Sequence, residues 1–246
     1  MFAAADSPPG PSKITYDEQH VLEPVRAAAR WRIAVTQMDS PASRRPIGRP
    51  PKTAERKAQC FAAVTEIVAK DGLASVTVSN VAAAAGLTRT LVGHYFSTRD
   101  NLISEYVSLA VDEFGRAMIA FASERSVNEA VVRMLDDDAY GDEKYVTVWL
   151  ELVATSSRDV EIRKQLNTLW QKRWLPSIER RIAAEYPSAH IDKVREVAFC
   201  TTALVEAYWA LRAQLTGDTS THRAQIMNGC HQLLAQLGPP SLPASA

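Results

Sequence analysis

Two short helical runs, each opened by a threonine and parted by one glycine, constrain this chain more than any other feature. In "TVSNVAAAAGLTRTLVGHYF", Thr77 is placed to cap a helix over 78–85, Gly86 ends it, and Thr88 caps a second from Arg89 to about Tyr95. Helices this short are not stable alone in water. They must cross closely and lean on a third, so the inner positions need small side chains, which Ala82 and Ala85 supply. Val78, Val81, Leu87 and either Leu91 or Val92 then fill a small core against Phe61 and Val64. Two crossing helices behind a longer support make a helix-turn-helix.

The support is legible upstream. From Thr53, a candidate cap, residues Cys60, Phe61, Val64, Ile67 and Val68 recur at helical spacing on one face. Lys70 and Gly72 read as a last turn and a left-handed end, with Leu73 folding back on Val68. Downstream, Ser97-Thr98 opens a long helix through Leu102, Ile103, Val107, Ala110 and Phe114. Further helices are expected at about 127–137, 143–157, 159–185, 191–215 and 221–237, with breaks at Gly141, Ser156-Ser157, Pro187-Ser188 and "TGDTS". Pro176 is expected to kink the 159–185 helix, because it lacks the amide donor a helix interior needs. No stretch alternates as a strand should; "ASVTVSN" is short and reads as a helix entry.

The expected fold is therefore all-α. Residues 53–103 form a helix-turn-helix domain, with its two short helices at about 75–95, and 104–238 form a larger helical domain. Residues 1–43 and 239–246 are expected to be disordered, save for a possible short helix near 22–35. Met38 offers a second start of translation.

The second short helix presents Thr88, Arg89 and Thr90 at its N-terminus. Such short polar and basic side chains suit a major groove about 12 Å wide, and helix N-terminal amides favour phosphates. Val81-Ala82, Ala85-Gly86-Leu87-Thr88, His94-Tyr95-Phe96 and Ser97-Thr98-Arg99-Asp100-Asn101-Leu102 follow in order and at characteristic spacing. Over roughly residues 53–110 the chain thereby closely resembles the DNA-binding domain of the TetR family of bacterial transcriptional regulators. The resemblance implies that Thr88, Arg89 and Thr90 lie on the recognition helix, with Arg89 reading a base. It implies that Thr77, His94, Tyr95 and Arg99 hold phosphates or brace that helix. Arg99 replaces the family's more usual lysine. Gly93 replaces a tyrosine, so a phosphate contact is absent there or passes to His94. The plainer account of Tyr95 and Phe96 is that both plug the core.

Charge points the same way. The net charge is zero, yet residues 44–103 hold nine Lys/Arg against four Asp/Glu, and 104–246 hold fifteen against nineteen. A basic segment joined to an acidic remainder suits a polyanionic partner for one part only. Directly before the domain lies "RRPIGRPPK" at 44–52, a basic arm. Its Gly48-Arg49-Pro50 resembles the centre of an AT-hook, which would set Arg49 in an A·T-rich minor groove. The alternative is a flexible tail that adds only phosphate attraction.

Cys60, Cys200 and Cys230 are an odd number, far apart, inside apolar helical patterns, and read as buried reduced thiols. No metal-ligand spacing, nucleophile–base set or phosphate loop marks an enzyme, so no catalytic residue, metal or cofactor is expected. No apolar run nears the roughly 18–20 residues that span a bilayer, and no secretory signal is visible. The expected location is the cytoplasm, with no membrane partner.

Residues 146–182 look like the C-terminal domain of the BetI-type subgroup, a looser resemblance that implies dimerisation and a small effector. Trp149, Trp170, Trp174, Tyr208 and Trp209 supply aromatic surface for a cation or a flat apolar ligand, or are simply core. Glu151 and Glu206 fall near them, to orient a cationic ligand or to be solvated or paired. The 191–215 helix is apolar around much of its circumference, and Ile226, Cys230, Leu233, Leu234 and Leu237 stripe the last one. Such a pair suits a four-helix interface between two copies. The expectation is a homodimeric regulator on a near-palindromic double-stranded DNA operator, a repressor released by a small-molecule effector of unknown identity. An activator or a ligand-independent regulator is the alternative, and a helical-bundle enzyme is the rival from another class.

Overall fold

The structure, a computed structural model, describes residues 52–121 and 124–241. The basic arm with Arg49, the N-terminal extension and residues 242–246 lie outside the described residues. Within them the chain is helical, without a strand. A head comprises α1 (Lys52–Asp71), a 3-10 turn (Leu73–Ser75), α2 (Val78–Ala84) and α3 (Arg89–Phe96), and α4 (Arg99–Phe121) runs from it into the body. The body adds α5 (Val127–Met134), α6 (Glu143–Ser156), α7 (Val160–Thr168), a π-helical turn (Leu169–Trp174), α8 (Leu175–Glu185), α9 (Ile191–Arg212) and α10 (Ser220–Ala235).

Local chemistry sets most of these ends. Thr77 and Thr88 cap α2 and α3 by accepting the amides of Asn80 (3.1 Å) and Leu91 (3.2 Å). Thr53 does not cap α1, which already begins at Lys52. Gly72 ends α1 with φ 78° and ψ 166°, a backbone region that only glycine enters freely. Its positive φ matches the expected left-handed end; its extended ψ swings the chain away at once. Ser97, at φ 60°, is the one non-glycine residue with positive φ among those described, and it ends α3.

At Pro176, where a kink is expected, the helix is not a regular α-helix. The helix widens just before it into the π turn, where the Leu175 amide reaches back to the Trp170 carbonyl, and Pro176 falls in the first turn of α8. There its missing N–H costs least. The expected 159–185 helix is thus α7, the wide turn and α8.

One hydrophobic core runs without interruption from the head (Phe61, Val64, Val81, Val92, Phe96) through α4 to the body (Leu152, Leu169, Trp174, Trp209). A second cluster joins Ile178, Ile182, Val194, Val197, Leu234 and Leu237. Cys230, Leu234 and Leu237 are therefore spent inside the chain, with Ile226 and Leu233 half-buried against the same cores. The apolar face left in solvent belongs to α9 instead, where Phe199 is 62% and Leu211 53% exposed.

Candidate nucleic-acid interface

The head sorts the candidate side chains into two groups. Thr88, Arg89, Thr90 and His94 are exposed along α3. Behind them, Val81, Ala82, Val92 and Phe96 are buried, with the Phe61 and Phe96 rings 5.5 Å apart. Between Leu91 and Val92, Val92 is the fully buried one. Tyr95 is half-buried, packs against the core, and sits 5.7 Å from the His94 ring. Phe96 is a core plug at 2% exposure.

Two residues brace rather than face outward. The Thr77 hydroxyl is occupied as the α2 cap. Arg99 spends its guanidinium on the backbone, donating from Nε to the Val76 carbonyl (2.6 Å) and from Nη2 to the Leu73 carbonyl (3.2 Å). That fork ties the start of α4 to the segment that enters α2. A Cβ built on Gly93 meets nothing within 4 Å, so the surface beside His94 is open. From Gly72 to Arg99 the sequence has no carboxylate. The segment that carries α2 and α3 therefore adds no negative charge of its own, which would repel phosphates.

In the body, the structure gathers Trp149, Trp170, Tyr208 and Trp209 with two rings the sequence reading did not single out as candidates, Phe114 and Tyr140. Phe114 stacks on Trp149 at 4.2 Å and on Tyr140 at 5.1 Å; Tyr140 meets Trp209 edge-on at 5.3 Å, and Trp170 meets Trp149 at 6.0 Å. The missed signal was Phe114 and Phe121 two turns apart on α4, both facing Tyr140. Trp174 is apart from these ring contacts. It is 1% exposed, and its indole donates to the Thr202 hydroxyl at 3.2 Å.

Glu206 is the carboxyl at the aromatic cluster. Trp149 Nε1 donates to its Oε2 at 2.9 Å. Burial pushes its pKa up to about 7 despite that bond. Its charge also bears on Tyr140, whose buried hydroxyl has no hydrogen-bond partner among the described residues. Tyr140 and Trp209 form part of the wall of a surface groove, with Val146 and Thr147. Arg212 lies at its edge, over the Trp209 ring at 5.4 Å and bonded to Asp137 at 2.5 Å. Glu151 is elsewhere: its Oε1 accepts the Leu73 amide of the head at 2.9 Å.

Comparison with known proteins agrees with this geometry. Residues 61–106 match the family model described as "Bacterial regulatory proteins, tetR family". The chain is 27% identical over 177 residues to the HTH-type transcriptional regulator BetI of Burkholderia cenocepacia (strain HI2424), covering 70% of this chain and 88% of that one. A putative TetR-family regulator from Rhodococcus sp. superposes with a TM-score of 0.58 at 21% identity, over 73% of this chain and 99% of that one. A putative transcriptional regulator from Saccharomonospora viridis, solved in complex with choline, does so at 0.58 and 16% identity, over 77% and 100%. These two likenesses bear on the fold.

Proposed function

We propose that the chain, whose residues 61–106 match the tetR-family model and which is 27% identical to a BetI regulator, is a TetR-type DNA-binding transcriptional regulator rather than an enzyme and works as a homodimeric repressor. It binds a near-palindromic operator and is released when a small molecule enters its body. The observation that carries the reading is the start of α3, where Thr88, Arg89 and Thr90 are exposed on a segment that has no carboxylate of its own, while Arg99 holds the turn that leads into α2. His94 and Tyr95 flank that face toward the backbone, and Thr77 holds the entry to α2. The protein acts in the cytoplasm.

The test is Arg89→Ala, assayed on a duplex enriched by the wild-type protein from random DNA and on an unrelated duplex of equal length. Loss of base readout is expected to cost about 1–3 kcal/mol on the enriched duplex and almost nothing on the other. An equal loss on both would remove Arg89 from base recognition.

For the effector, the aromatic cluster around Glu206 favours a small organic cation. Ring faces attract a cation, and a half-buried carboxyl beside them offers it a counter-charge. Trp149, Trp170, Tyr208 and Trp209, with Phe114 and Tyr140, form the walls. The Saccharomonospora viridis neighbour was solved with choline, a ligand of this class. Cation entry requires the stacked rings to part, and their movement favours a conformation whose two heads are wrongly spaced for DNA.

The raised carboxyl gives a pH prediction. Glu206 holds its proton up to about pH 7 in the folded chain, whereas an unfolded glutamate releases it near pH 4.3. Stability is therefore lost as pH rises from about 4.3 to 7 and then levels off. Glu206→Gln is expected to remove that loss, seen as a smaller difference in melting temperature between pH 5 and 8. Tetramethylammonium is expected to bind the wild type more tightly at pH 8 than at pH 6, with no such gain in the variant. An identical pH profile in both proteins would dissociate Glu206 from the effector.

A further inference from the structure

The head is fastened to the body along α1 and α6, which run parallel and in register. Lys144 Nζ reaches Glu66 Oε1 at 2.6 Å, and Glu151 Oε1 accepts the Leu73 amide at 2.9 Å. Both pairs are 78 residues apart in sequence, so the chain advances seven residues on each side from one bond to the next, two turns along α6 and, on the other side, from α1 into the 3-10 turn beyond its end. The two bonds differ in kind. Glu66 is 63% exposed, so the ion pair there is screened and contributes little. The Glu151–Leu73 bond is partly buried and joins a carboxylate to a main-chain amide.

Gly72 explains why that amide needs the body. Its backbone turns out of the helical region, so the Gly72 amide still reaches Val68 but Leu73 lies beyond the end of α1. Leu73 is 6% exposed and carries the amide that Glu151 takes. The carbonyl of the same residue is taken by Arg99, as is that of Val76. A turn of three residues, directly ahead of the reading helices, is thus held from two sides by side chains that lie outside it.

We propose that Glu151 is a positioning residue for DNA recognition, which fixes the angle of the head on the body by accepting the Leu73 amide. It never touches DNA. Without it a buried amide loses its partner, the 3-10 turn loosens, and α3 is presented over a range of angles. A single half-site tolerates that range; two half-sites read together do not.

The experiment uses the full chain with Glu151→Ala and Glu151→Gln. Hydrogen exchange, which needs no DNA, is expected to speed up at residues 72–76 in the alanine variant and to stay unchanged through α8–α10. On the enriched duplex the alanine variant is expected to bind about tenfold more weakly, with unrelated DNA bound as before. Glutamine keeps an acceptor oxygen and is expected to restore both readouts. Unchanged exchange at 72–76, equal loss on both duplexes, or a glutamine variant as defective as alanine would each overturn the proposal.

Discussion

With glutamate at both Phe199 and Leu211, the protein is expected to sediment as a monomer and to release its operator. The two residues lie on α9 with Ala203 and Ala207 between them at four-residue intervals, and all four are exposed. Large residues at the ends and alanines in the middle let two such helices approach closely and bury the stripe at their crossing. Nothing else in the described chain covers Phe199, at 62% exposure. A monomer binds one half-site without the aid of the other. That loss of joint binding is worth roughly a hundredfold or more in apparent affinity. Placing charge at Leu233 and Leu234 would not test the interface, because Leu234 is 1% exposed in the internal core and its variant would unfold. Unchanged sedimentation of the Phe199/Leu211 variant would count against α9 as the contact.

Trp174→Ala is expected to lower the unfolding free energy by about 3–5 kcal/mol, read from urea denaturation. Against a typical total of about 5–15 kcal/mol, that is enough to leave a large unfolded fraction at 37 °C. The residue is the largest of the fully buried side chains, and its indole N–H pairs with the Thr202 hydroxyl. If it lined an effector site instead, its removal would open a pocket already hydrated, and stability would hardly change. Trp174→Phe refills much of the volume and is expected to lose far less.

These variants also separate what was legible in the sequence from what was not. The all-α fold was readable because caps and breakers lie where the helices end: Thr77, Thr88 and Gly72 each have one local job. Pro176 marked an irregularity in the sequence but not its form, because a proline's cost can be absorbed by widening the preceding turn. Periodicity told which residues of the last helix are apolar but not which neighbour they face. Leu234 and Leu237 turned inward, and the exposed stripe fell on α9. The exposed polar and basic start of α3 was visible because it is a local arrangement. The body was not, because Phe114 and Glu206 come from two distant helices and Tyr140 from the turn between α5 and α6. Glu151 seemed to belong with Trp149 by sequence nearness; residues two apart on a helix point in nearly opposite directions, and its carboxylate went to the head.

The seam between α1 and α6 also decides which changes of length the gene can tolerate. The partners Glu66–Lys144 and Leu73–Glu151 keep their register whatever the length of the connections between residues 73 and 144. Insertions in the stretch between α5 and α6 leave it intact. One codon added between 144 and 151 turns Glu151 by about 100° around α6 and carries it away from the Leu73 amide. Deletions and insertions in this lineage should therefore gather in the loops of the body and be purged from the stretch of α6 between residues 144 and 151.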